Sequence, residues 1–118
     1  MPVREALPHP LPDLLVEQIA QRFRVIGEPT RIRLLDRLRE GEASVQTLTD
    51  ALGTTQQNAS KHLSVLYTNG IVSRRREGNR VLYAIADDSV LELCEKVCGG
   101  LRRQLAVLDD LLLQGSAS

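Results

Sequence analysis

Residues 44–69 constrain the fold more tightly than any other stretch of this chain. Ser44 can cap a short helix whose buried side is Val45, Leu48, Ala51 and Leu52, and Gly53 separates it from the next helix. Thr54 or Thr55 can cap that second helix, Thr54 standing in capping-box spacing with Gln57. Within it Ala59, Leu63 and Leu66 fall at i, i+4 and i+7, a stripe that has to be buried. Two helices joined by a tight glycine turn make a helix-turn-helix, in which the second helix is the one that lies in a major groove.

The opposite face of that second helix carries Gln56, Gln57, Asn58, Ser60 and Lys61, with no glutamate among them. An amphipathic helix facing water is the ordinary use of a polar face, but these side chains also suit base edges. Gln and Asn pair bidentately with adenine, Ser contacts any base, and Lys holds guanine or a phosphate. Thr55, at the start of the helix, joins the group as a candidate DNA contact.

Downstream, Asn69-Gly70 reads as a helix stop. Residues 71–76 and 81–85 are two runs with β-branched residues around Gly78-Asn79, the pattern of a hairpin. Arg74, Arg75, Arg76 and Arg80 crowd this hairpin, more charge than edge protection alone requires. Its tip can lie along a phosphate backbone or enter a minor groove, which favours arginine. Formal net charge is zero, yet residues 54–80 carry Lys61 and those four arginines against Glu77, a local +4. Residues 87–113 carry six acids against Lys96, Arg102 and Arg103, a local −3. The basic charge is therefore local, as a nucleic-acid footprint is.

With 118 residues, 42% hydrophobic and 3% aromatic, the chain fits one domain around an aliphatic core, here taken as residues 13–113. Prolines 2, 8, 10 and 12 make residues 1–12 a flexible tail in which His9 reads as a tail residue rather than a ligand, and residues 114–118 form a second tail. Leu15, Ile19, Phe23 and Ile26 mark a first helix that Gly27 can end as a left-handed cap. Pro29 restarts a helix with Ile32, Leu35 and Leu38 inward and Gly41 stopping it. Arg31, Arg33, Arg37 and Arg39 alternate with acids on its outer side and read as a solvated face, while Arg31, near the helix start, is also able to hold a phosphate or a carboxylate. No apolar run approaches the roughly 18 residues of a membrane span, so a cytoplasmic protein with reduced thiols is expected.

From about Asp88 to Leu113, capped by Asp87, Asp88 or Ser89, a last helix places Val90, Cys94, Val97, Leu101, Leu105, Leu108 and Leu112 on one seam, interrupted by Gly99-Gly100. That seam is too long for a small domain to bury alone and predicts pairing with a second copy. Cys94 and Cys98, one turn apart, are either inert packing or a site for a soft metal, an arsenical or an oxidant.

Residues 28–35 (EPTRIRLL), 60–66 (SKHLSVL), 70–72 (GIV) and 76–83 (REGNRVLY) resemble, in order and spacing, the signature segments of the ArsR/SmtB winged helix-turn-helix repressors. The resemblance covers about residues 19–93. It implies a mainly α fold with a β-hairpin wing, dimerising through N- and C-terminal helices, with Leu15, Ile19 and Phe23 joining Val90, Cys94, Val97, Leu101, Leu105 and Leu108 at the interface. It further implies that Gln56, Gln57, Ser60 and Lys61 face DNA, that Arg76 to Arg80, including Asn79, form the wing, and that His62 is structural. Metal-sensing members carry a cysteine pair where this chain has Ala43-Ser44-Val45, or Asp and His ligands on the last helix. Here the only histidines are His9 and His62, so the usual family metal sites are missing.

The expected function is a sequence-specific, homodimeric DNA-binding regulator, a repressor on an inverted-repeat operator, released by a signal at the dimer helices. A winged-helix protein-interaction module and an ArsR-like repressor without metal or thiol inducer are the alternatives. An enzyme is not expected, since no nucleophile with a paired base, carboxylate pair or phosphate-cradling glycine loop is recognisable.

Overall fold

The computed structural model describes residues 7–116, with side chains to Gln114. Residues 1–6, 117 and 118, parts of the two expected tails, lie outside the described residues. Helix α1 (Asp13–Ile26) leads into α2 (Pro29–Leu38), a short strand β1 (Ala43–Ser44), α3 (Val45–Leu52) and α4 (Gln56–Thr68). Strands β2 (Val72–Glu77) and β3 (Arg80–Ile85) follow, and α5 (Asp88–Ser116) closes the chain, three residues past the expected end at Leu113. No described helix is long and apolar enough to cross a membrane.

The local chemistry explains most boundaries. Pro29 takes the first position of α2, where its missing N–H costs nothing, and the Glu28 carboxylate accepts from the Arg31 amide at 2.9 Å. Ser44 caps α3 by accepting from the Thr47 amide at 3.1 Å. Gly53 ends α3 at φ 64°, a conformation that costs a residue with a Cβ about 1–2 kcal/mol. Thr55 is the cap of α4 and accepts from the Asn58 amide at 3.1 Å. The expected Thr54–Gln57 capping box is not formed; Thr54 Oγ1 instead accepts from the Asn58 side-chain amide at 2.9 Å, which locks the turn. Asp87, just before α5, accepts from the Ser89 amide at 3.0 Å. Gly27 ends α1 with φ −77°, not in the left-handed region as expected; its amide reaches the Phe23 carbonyl at 2.8 Å.

The core is aliphatic: Leu34, Leu35, Leu38, Leu48, Leu63, Leu66 and Ile71 are fully enclosed, with Tyr83 the aromatic member. Two expected core positions are corrected. Ile32 is 44% exposed and Leu34 takes its place, because the face of α2 that meets α3 and α4 is centred on residues 34, 35 and 38 and leaves Ile32 at its edge. Ala51 is exposed, while Thr49 is buried with its hydroxyl on the Val45 carbonyl at 2.7 Å.

Strands β2 and β3 form the expected antiparallel hairpin, Glu77 facing Arg80 across Gly78-Asn79, with Gly78 at φ 62°. The sheet has a third, unexpected member: β1 pairs antiparallel with β3 (Ala43 with Tyr83, Ser44 with Leu82), giving the order β1-β3-β2. The hairpin is thereby anchored to the start of α3.

Only the first turns of α5 touch this core. Val90, expected between two copies, is 2% exposed and belongs to the chain's own interior, with Leu93 and Cys94 packed beside it. From Leu101 onward every described α5 side chain is exposed. The helix continues unbroken through Gly99-Gly100. The radius of gyration is 18.4 Å, against about 13.5 Å for a compact chain of this length, because α5 projects from the core.

Candidate nucleic-acid interface

Burial of Ala59, Leu63 and Leu66 sets the rotation of α4 and turns Gln56, Gln57 and Lys61 fully outward, with Ser60 half-buried beside them. The first turn of α4 holds no acidic residue, so the positive end of its dipole is uncompensated. Asn58 is half-buried and engaged with Thr54, and the Thr55 hydroxyl is occupied as the cap, so both shape the turn before they can contact anything else.

A cleft of about 700 Å³ lies between α3 and α4 on one side and the hairpin on the other. It brings Gln56 and Ser60 together with Arg75, Arg76, Asn79 and Arg80, six of the ten expected DNA contacts. Thr55, Gln57, Asn58 and Lys61 are not among its lining residues. Two polar lining residues, Gln46 and Tyr67, escaped the sequence reading, and Ser44 and Arg74, read there as a helix cap and a hairpin arginine, were not among the expected contacts. Gln46 had a signal, since the apolar stripe of α3 leaves it on the outer side; its amide donates to Asp50 at 3.0 Å.

The hairpin's cations are held in different ways. The Arg74 guanidinium lies 4.0 Å from the centre of the Tyr67 ring, a cation–π contact that fastens β2 to α4. Its pKa is raised, first by a hydrogen bond with Tyr83. Arg75 donates to both carboxylate oxygens of Glu42, each at 2.7 Å, and lies 2.9 Å from Glu77. The hydrogen bond from Arg75 holds the Glu42 carboxyl below the usual range, and the Arg75 pKa is raised in return. Among the described residues neither Arg76, Arg80 nor Lys61 has a carboxylate partner.

Behind its outward polar face, α4 is tied to α2. Arg31, read as a solvated side chain able to hold a phosphate or carboxylate, instead points inward, donating from Nε to Nδ1 of the buried His62 at 3.1 Å and to the Val25 carbonyl at 3.1 Å. Glu28 Oε2 lies 3.5 Å from the same His62 nitrogen. His62 is thus structural, as expected, and joins the two helices.

Cys94 is half-buried and Cys98 exposed. Both line a largely apolar hollow of about 520 Å³ between α2 and α5, with Ile32, Leu35 and Leu91 among its apolar lining and Arg33, Arg39, Arg102, Asp36 and Glu95 among its charged lining. Burial pushes the Cys94 thiol pKa up, partly offset by Arg39.

A helix-turn-helix whose second helix shares a basic cleft with a β-hairpin defines the winged helix-turn-helix class of DNA-binding proteins. A helix-turn-helix domain family matches residues 26–75. The uncharacterized HTH-type transcriptional regulator Rv0081 of Mycobacterium tuberculosis is 38% identical over 104 residues, covering 84% of this chain and 91% of the relative. The transcriptional repressor SmtB of the same organism is 36% identical over 80 residues, covering 68% of this chain and 59% of SmtB. The solution structure of Mb0332 (fragment 1–100) from Mycobacterium bovis, a homodimeric winged helix-turn-helix DNA-binding domain described as a possible ArsR-family regulator, superposes with a TM-score of 0.71. It is 31% identical, with 83% of this chain and 94% of that one covered. The chain belongs to the ArsR/SmtB family of helix-turn-helix transcriptional regulators.

Proposed function

We propose that this chain acts as a homodimeric repressor that reads an inverted-repeat operator with α4 and grips the phosphate backbone with its hairpin wing. The observation that carries the reading is the shared cleft: uncharged hydrogen-bonding side chains on α4, Gln56 and Ser60, open onto the same space as Arg76, Asn79 and Arg80. Gln56 and Ser60 are suited to base edges, and the wing cations to phosphates. Gln57, Lys61 and the α4 N-terminus extend the contact along the groove, with Thr55 and Asn58 holding the turn that aims it.

Dimerisation is supported by the exposed leucines of α5 and by Phe23, 53% exposed on α1 beside half-buried Leu15 and Ile19. Val97, Leu101, Leu105 and Leu108 continue the seam beyond the chain's own core. The homodimeric state of Mb0332 points the same way.

The inducing signal acts at the hollow between α2 and α5, where a soft metal or arsenical meets Cys94 and Cys98. Its route to DNA is physical: Ile32 and Leu35 of α2 line the hollow, and the same helix is bonded through Arg31 to His62 on α4. Such a ligand releases DNA only if it binds the DNA-free arrangement more tightly.

Titration of a labelled duplex at several salt concentrations tests the DNA-binding reading against the alternative of a protein-interaction module. Lys61, Arg76 and Arg80 supply three unpaired cations per chain, six per dimer. With each neutralised phosphate contributing about 0.9, log affinity falls against log salt with a slope near about −5. Binding that is absent, or indifferent to salt, would refute the reading.

A further inference from the structure

Arg75 is the wing cation that the structure withholds. Its guanidinium borders the cleft, yet its Nε and one terminal nitrogen are engaged with both oxygens of Glu42 at 2.7 Å, the fork-to-fork geometry that makes such pairs strong. Glu42 does not belong to the wing. It sits on the connection between α2 and β1, 33 residues away in sequence, and faces Arg75 from the far edge of the three-stranded sheet. Glu77, by contrast, is two residues from Arg75 on β2 and travels with the hairpin. Arg76 and Arg80, on the same hairpin, have no such restraint.

We infer that Glu42 is a positioning residue that holds Arg75 back from the DNA backbone and so limits how tightly this protein grips DNA irrespective of sequence. The inference rests on the DNA-binding reading above. An arginine already paired with a carboxylate neutralises no phosphate and displaces no counterion, so it adds nothing to sequence-independent affinity. With Arg74 stacked on Tyr67, the wing would otherwise offer three arginines, Arg75, Arg76 and Arg80, to non-operator DNA. The Glu42 pair removes one from each wing while leaving the hairpin fold, fixed by its register with β3 and by Arg74 on Tyr67, unchanged.

The test is Glu42→Gln, which keeps the side chain's shape at a solvent-accessible position, made in a Glu77→Gln background so that no carboxylate still holds Arg75, with Glu77→Gln alone as the reference, and titrated with an unrelated duplex from 0.05 to 0.3 M salt in the full chain. Freeing one phosphate contact per wing steepens the slope by about 0.9, or about 1.8 for a dimer, and raises affinity for unrelated DNA by up to about 60-fold at 0.1 M. In an Arg75→Ala background the same substitution leaves the slope unchanged. The inference is overturned if Glu42→Gln leaves the slope of the Glu77→Gln reference as it was, if affinity drops because the pair only braces the wing, or if the steepening persists without Arg75. A wild-type chain with no salt-dependent DNA binding overturns the DNA-binding reading and this inference together. Normal wild-type binding with an inert Glu42→Gln overturns the inference alone.

Discussion

Leu105→Ala weighs the exposed seam of α5 with little disturbance to the fold. Leu105 is 62% exposed and lies outside the chain's own core, so its truncation removes almost nothing from the isolated protomer. Fully burying a leucine stabilises by about 1.5–3 kcal/mol, so covering the exposed part contributes about 1–2 kcal/mol per copy and about 2–4 kcal/mol per two-fold dimer. At one factor of ten per 1.4 kcal/mol, the dimer dissociation constant rises about 30- to 700-fold. Sedimentation equilibrium across a dilution series measures it, with circular dichroism confirming that helix content is kept. Val90→Ala is the matched control: Val90 is 2% exposed in the core, and its truncation costs about 2 kcal/mol of fold stability with little effect on association. An unchanged dissociation constant for Leu105→Ala, or a larger effect from Val90→Ala, would show that the seam is not where two copies meet.

Gln56→Ala and Ser60→Ala relax the preference at individual base pairs, by about 1–3 kcal/mol where a bidentate contact is lost, whereas Arg80→Ala weakens all duplexes and flattens the salt slope; binding to a panel of single-base variants separates the two. Arg31→Ala removes the donor to His62 and to the Val25 carbonyl and lowers unfolding stability by about 1–3 kcal/mol in denaturant titration. Glu42 titrates below the ordinary carboxylate range because Arg75 bonds its charged form. Its stabilising contribution is therefore complete above that range and is lost as pH falls through the lowered folded value, a displacement that carboxyl-detected NMR should find in the wild type and not in Arg75→Ala. Exposed Cys98 is alkylated before Cys94, whose raised pKa delays it until pH is increased. A trivalent arsenical that acts there lowers DNA affinity about 5- to 150-fold, an effect that Cys94→Ala with Cys98→Ala abolishes.

Helix α4 and the turn before it were legible because their determinants are local. Ala59, Leu63 and Leu66 fix the buried face by spacing alone, and Ser44, Gly53 and Thr55 act on amides within three residues or on their own backbone angles. The wing was legible for the same reason, since Gly78-Asn79 sets its register. What escaped depends on partners distant in the chain. Arg31 meets His62 across 31 residues and Arg75 meets Glu42 across 33, so an arginine that looks free for phosphate is already engaged. Strand β1, two residues of alanine and serine, has no strand signal of its own and exists because β3 offers an edge. The heptad-like spacing of α5 could not mark where the chain's own core ends: Val90 and Leu101 share one seam in sequence, yet one is interior and the other bare.

Selection of bound duplexes from a random pool tests the central claim, that two copies of α4 read DNA together. Two reading helices related by a two-fold axis predict enrichment of an inverted repeat with half-site centres about 34 Å apart, about 10 base pairs, or a multiple of it. Recovery of a single asymmetric site, or no enrichment at all, would contradict it.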